Sequence, residues 1–118
     1  MKELISALIK AKGQFTQIKK DKVNPFHKST YASLDSVLAA VEPALHSNSL
    51  MLSHSIEPGG LLITKLWHES GDFLGSTLAL PELSDPQKLG SLITYYRRYA
   101  ICALLSVTAD EDDDANSN

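Results

Sequence analysis

The chain has 118 residues, 43% hydrophobic and 21% charged, which fits one globular domain with a modest core and excludes a fibrous or wholly disordered class. No apolar run reaches the ~18 residues of a membrane span, and a single cysteine, Cys102, excludes an internal disulfide and a multi-cysteine zinc site. The net charge of −3 argues weakly against a polyanionic partner, but the charge is segregated: residues 1–30 hold seven Lys against Glu3 and Asp21, while residues 110–118 hold five acidic groups and no basic one.

In chain order, Met1 to about Ile18 is expected to form a helix. Leu4, Ile5, Leu8, Ile9 and Ala11 lie near one face, and Gly13 is a possible break. This segment is too interrupted by charge for a signal peptide, so a cytoplasmic, reducing compartment is the expectation. Lys19 to Tyr31 follows as a basic loop in which Lys19, Lys20, Lys22 and Lys28 surround Asn24-Pro25-Phe26. Pro25 pushes Asn24 out of helical geometry. Aromatic faces among lysines are what a single strand of nucleic acid needs, one group for bases and the other for phosphates. The competing reading of Phe26 is a plug that folds back into the core.

Ser33 caps the next helix, whose apolar face is Leu34, Val37, Leu38, Val41 and Leu45 and whose end is expected near His46. Three strands come next: Leu50 to Ile56, Leu61 to His68 and Phe73 to Leu80. Glu57-Pro58-Gly59-Gly60 and Ser70-Gly71 are the turns between them. Consecutive hairpins predict an α+β fold, an antiparallel three-stranded β-meander packed against helices. Lys65 and Trp67 share a face of the second strand, where a Trp is more often core than groove lining.

Asp85 and Pro86 open a long helix, as cap and first helical residue. Leu89, Ile93, Tyr96, Ala100, Ala103 and Leu104 recur at helical spacing as its core face. Lys88, Ser91, Tyr95 and Arg98 fall roughly opposite, with Arg97 and Tyr99 at the edges. Arg98, facing away from the core, is the expected phosphate contact, and Arg97 the one expected to pair with an acidic group. Tyr95 and Tyr99 are candidates for stacking or for helix-edge packing. Ile101, Cys102 and Leu105 lie off the main apolar face, which points to a second cover such as another subunit. The acidic run Asp110 to Asp114 has three readings: a solvated boundary, intersubunit ion pairs, or a mimic of DNA.

Three blocks together resemble one family. Gly90-Ser91-Leu92-Ile93-Thr94-Tyr95-Tyr96-Arg97-Arg98-Tyr99-Ala100, followed by Ala103-Leu104-Leu105 and Ala109-Asp110-Glu111-Asp112-Asp113-Asp114, is the first, Asp21-Lys22-Val23-Asn24-Pro25-Phe26-His27-Lys28-Ser29-Thr30-Tyr31-Ala32-Ser33-Leu34 the second, and Trp67-His68-Glu69-Ser70-Gly71-Asp72-Phe73 the third. They are similar to the Erf (essential recombination function) family of phage and prophage single-strand annealing proteins. The resemblance implies single-stranded DNA as partner, homo-oligomers in rings or filaments, a role in homologous recombination, the cytoplasm of a bacterial host, and a host single-strand-binding protein as a further partner to test. It favours an exposed Phe26 over a core plug. It divides the chain into an annealing domain, 1–109, and an acidic tail, 110–118, and implies a short or truncated form, since further residues often follow the acidic run. The β-β-β-α order is also similar to the core of eukaryotic single-strand annealing proteins. The chain departs from the family at Tyr96, His27 and Ser106-Val107-Thr108, none of which removes a basic residue.

Catalysis is not expected. A nuclease needs carboxylates converging on a metal, and adjacent acidic residues on one stretch diverge. His27, His46, His54 and His68 show no paired metal spacing, and there is no phosphate-binding glycine loop, so no cofactor is expected. The expected DNA contacts are Lys19, Lys20, Lys22, Phe26, Lys28, Tyr31, Tyr95, Arg97 and Arg98. The alternative is a single-strand-binding or decoy module without annealing activity.

Overall fold

The structure, a computed structural model, describes residues 1–26 and 28–109. His27 and the expected acidic tail, 110–118, lie outside the described residues. The element order is α1 (Lys2–Lys12), β1 (Lys22–Val23), β2 (Thr30–Tyr31), α2 (Leu34–Ser47), β3 (Leu50–Glu57), β4 (Leu61–His68), β5 (Phe73–Ala79) and α3 (Pro86–Leu105). This is an α+β fold with an antiparallel sheet in the order β3-β4-β5 and a separate two-stranded ribbon, β1-β2.

The sheet is built by its turns. Gly71, at φ 94°, occupies the left-handed region where a side chain would be strained. It lets His68 N donate to Asp72 O at 2.9 Å and sets Trp67 opposite Phe73. The pleat then sorts β4 by alternation. Leu62, Thr64 and Leu66 are buried beneath the helices, while Ile63, Lys65 and Trp67 are half-buried on the other face. Thr64 is wholly buried but satisfied, since its hydroxyl lies 2.9 Å from His54 Nδ1 across the β3–β4 pair.

α2 supplies the centre of the core. Ser33 accepts from Ser36 N at 3.1 Å as its N-cap, and Leu34, Val37, Ala40, Val41, Ala44 and Leu45 are buried along one stripe. Each fully buried Leu or Val contributes about 1.5–3 kcal/mol. α1 ends at Lys12 rather than near Ile18, with Gly13 as its C-cap. Beyond it the chain is drawn to α2, where Thr16 N donates to Ala40 O at 3.1 Å. Only Leu4 and Ala11 of α1 are buried, while Ile5 and Ile9 are exposed.

α3 starts as expected, with Asp85 accepting from Gln87 N at 2.9 Å and Pro86 in the first turn. Its core face differs from the expected one. Arg98, Ala100, Ile101 and Leu105 are buried and Ala103 is exposed, so the stripe is rotated by roughly one residue's 100°. Ile101 and Leu105 turn toward α2, and Arg98, which the residue type alone sorts to solvent, is covered against Tyr31 and Tyr95. Ile101 and Leu105 join the same cluster as Val37, Val41 and Leu45, so the chain's own core covers them. That removes the argument drawn from them for a neighbouring subunit. No described helix is long and apolar enough to cross a membrane.

Candidate nucleic-acid interface

The expected basic loop is a short antiparallel ribbon in which Lys22 pairs with Tyr31 and Val23 with Thr30. Its tip is fixed from within. Asn24 Oδ1 accepts from Phe26 N at 2.9 Å, Asn24 N donates to Ser29 O at 2.7 Å, and Lys28 N donates to Asn24 O at 2.8 Å. Such an Asx turn is the mechanism by which Asn favours turns. Lys28 takes the left-handed conformation at φ 54° to close it.

The base of the ribbon is clamped to α2. Asp21 accepts from Ser33 N and Ser33 Oγ, both at 2.8 Å, and these bonds hold its carboxyl below the ordinary carboxylate pKa. Ser36 Oγ donates to Lys19 O at 2.5 Å on the same side. Lys19, Lys20, Lys22 and Lys28 are exposed on this anchored frame. Phe26 is 89% exposed at its tip, so it is not a core plug.

α3 meets the ribbon through Arg98. Its guanidinium carbon lies 5.0 Å from the Tyr31 ring centroid and 5.3 Å from that of Tyr95. Tyr95 packs in turn on Tyr99, with centroids 5.3 Å apart, and on Tyr96 at 5.7 Å. Arg98 is 7% exposed, so the expectation that it faces freely into solvent is corrected. Two aromatic faces hold the guanidinium by cation–π attraction, which gives a desolvated cation a favourable setting. Tyr95 and Tyr99 remain exposed beside it. Lys22, Tyr31, Arg98 and Tyr95 therefore form one connected cluster at the base of the ribbon, below Phe26.

Arg97 does not join that cluster. It has no ion pair among the described residues; an acidic partner in the run 110–114 or on a neighbouring subunit lies outside them. It is half-buried on the β3 side of α3, in a cleft of about 490 Å³ that it shares with His54 and Ile93. Burial first, and the Arg97 charge second, push the His54 pKa down to about 4, so its imidazole is neutral at pH 7.

A second aromatic and cationic cluster lies on the open face of the sheet. Trp67 and Phe73 have centroids 4.9 Å apart, and Lys65 Nζ lies 4.4 Å from the Phe73 centroid and 5.2 Å from that of Trp67. Trp67 Nε1 donates to Ser53 Oγ at 3.0 Å. Trp67 is thus not a core residue in the helix-covered layer, contrary to the commoner expectation. Phe73 and His54 were not singled out as site residues from the sequence. The Ser70-Gly71 pair signalled the hairpin but not its register: the loop is Glu69-Ser70-Gly71 with Gly71 left-handed, and this three-residue turn sets Phe73 opposite Trp67.

Among the described residues no group of His, Cys, Asp or Glu is placed to hold a metal ion. The model of the ERF superfamily matches residues 4–118, nearly the whole chain. The chain belongs to the ERF superfamily. Membership associates this ERF chain with phage recombination and strand annealing, and it covers both the ribbon and α3 in a single match. No curated protein and no solved structure matches it.

Proposed function

We propose that this ERF-superfamily chain binds single-stranded DNA along a track from the Lys-rich ribbon to the Tyr31–Arg98–Tyr95 stack. It pairs complementary strands in phage recombination, in the cytoplasm of the bacterial host, and makes or breaks no bond. The observation that carries this reading is Phe26, 89% exposed on a turn with its own internal hydrogen bonds and flanked by lysines. Lysines neutralise strand phosphates, and an exposed ring offers a base a face to stack on. Annealing needs only that two strands be held with their repulsion screened and their base edges free. Assembly into a homo-oligomer is part of the proposal, supported by the apolar Ile5 and Ile9 left exposed on α1.

The test is fluorescence anisotropy of a labelled oligo-dT across a salt series. Affinity is expected to fall with a log–log slope approaching about −3 if all four lysines engage phosphates. The Lys19→Ala/Lys20→Ala double variant is expected to flatten the slope by about 1.4. A protein with no affinity at low salt contradicts the proposal and leaves a protein-interaction module.

A further inference from the structure

The cleft between β3 and the middle of α3 lies apart from the ribbon. Leu52, His54, Ile56, Leu62, Ile93 and Arg97 line it, and its described lining holds no carboxylate. Two polar atoms there, Arg97 Nε and His54 Nε2, are buried and have no hydrogen-bond partner. Such atoms are rare in folded proteins, because desolvating a donor without a replacement partner is unfavourable.

The character of the two groups narrows the ligand. Arg97 is always cationic, and its Nε–H can only donate. His54 Nδ1 lies 2.9 Å from Thr64 Oγ1. When the Thr64 hydroxyl donates to Nδ1, the imidazole proton sits on Nε2, which becomes a second buried donor beside Arg97 Nε. The imidazole is neutral, so it adds no second charge to the pocket. A cation is repelled by the guanidinium, and an apolar ligand leaves both donors unpaired. An oxyanion with divergent oxygens satisfies both, since charge-assisted bonds from Arg are the strong ones.

We infer that this cleft is a phosphate-class oxyanion site in which Arg97 Nε–H and His54 Nε2–H are the donors. Arg97 and Arg98 are neighbours about 100° apart on α3, so one helix turns one guanidinium to the ribbon and the other to the cleft. The oxyanion is either a phosphodiester of the bound strand, which rests on the function proposed above, or a free phosphate.

The experiment is side-chain ¹⁵N NMR of the full chain at pH 7, following His54 Nε2 and Arg97 Nε. Inorganic phosphate, oligo-dT and an uncharged methylphosphonate oligo-dT are titrated separately. Phosphate is expected to shift both resonances, and Arg97→Gln and His54→Leu are each expected to weaken phosphate binding about tenfold or more. Shifts with oligo-dT at lower concentration, and none with the methylphosphonate strand, assign the oxyanion to the strand backbone. Shifts with phosphate while oligo-dT binds without moving them assign a free-oxyanion site. If neither resonance moves with phosphate or oligo-dT, the cleft proposal is overturned, and oligo-dT anisotropy in the same samples shows whether strand binding survives. If phosphate shifts both while no oligonucleotide binds, the cleft stands and the DNA reading falls. The wild-type readout does not depend on how either variant folds.

Discussion

Phe26 and Arg98 separate binding from folding at the level of single residues. Phe26 is exposed, so its removal leaves stability within about 0.5 kcal/mol of wild type. A stacked base is worth about 1–3 kcal/mol, so Phe26→Ala is expected to weaken oligo-dT binding by that amount with an unchanged melting temperature. Thermal unfolding and anisotropy on the same sample check both halves. Arg98 is buried against Tyr31 and Tyr95, so its truncation affects the fold and the site together. His54 gives a pH signature. Its folded pKa, about 4, lies below the ordinary 6.5, so between those values the unfolded chain binds more protons. The stability it contributes is present above about pH 6.5 and is lost as pH falls toward 4. Thermal unfolding from pH 7 to pH 4 is expected to show that loss in wild type, and a smaller one in His54→Leu.

At the scale of elements, the end of α3 holds a correctable strain. Ser106 adopts φ 55°, ψ 48° as the C-cap, with Val107 N donating to Cys102 O at 3.0 Å. A non-glycine residue in that region costs about 1 kcal/mol. Ser106→Gly is therefore expected to raise stability by about 1 kcal/mol and the melting temperature by about 4 °C, provided that the cap is retained. Calorimetry checks it, and a destabilised variant contradicts the assigned cap. The elements were legible where chemistry is local. Ser33, Asp85 and Pro86 announce helix starts, Gly71 a hairpin, and the alternation of β4 its two faces. The ribbon was not legible, because two-residue strands show no periodicity and their pairing depends on Asp21 reaching Ser33 across the chain. The face of α3 was misplaced because a cation between aromatic rings is buried by partners that sequence spacing does not reveal. Both arginines depart from the expected placement: Arg98 is covered, and Arg97 is half-buried in a cleft whose described lining holds no carboxylate.

On the scale of the whole molecule, charge segregation matters more than net charge. The four ribbon lysines sit together on a frame anchored to α2, while the −3 total reflects acidic groups elsewhere, five of them in residues 110–118. A local basic patch can attract a strand despite an acidic pI, and salt should screen that attraction. The exposed Ile5 and Ile9 of α1 and the open face bearing Trp67 and Phe73 leave apolar surface outside the proposed DNA track. The central claim is that the ribbon and α3 act as one surface on which strands pair. The most direct measurement is the rate at which two labelled complementary oligonucleotides anneal, with and without protein, across a salt series. Wild type is compared with Arg98→Ala and with Lys19→Ala/Lys20→Ala. The account predicts an acceleration that fades with salt and is reduced in both variants. Strand binding with no acceleration at any salt concentration contradicts it and assigns the chain to a single-strand-binding or decoy role.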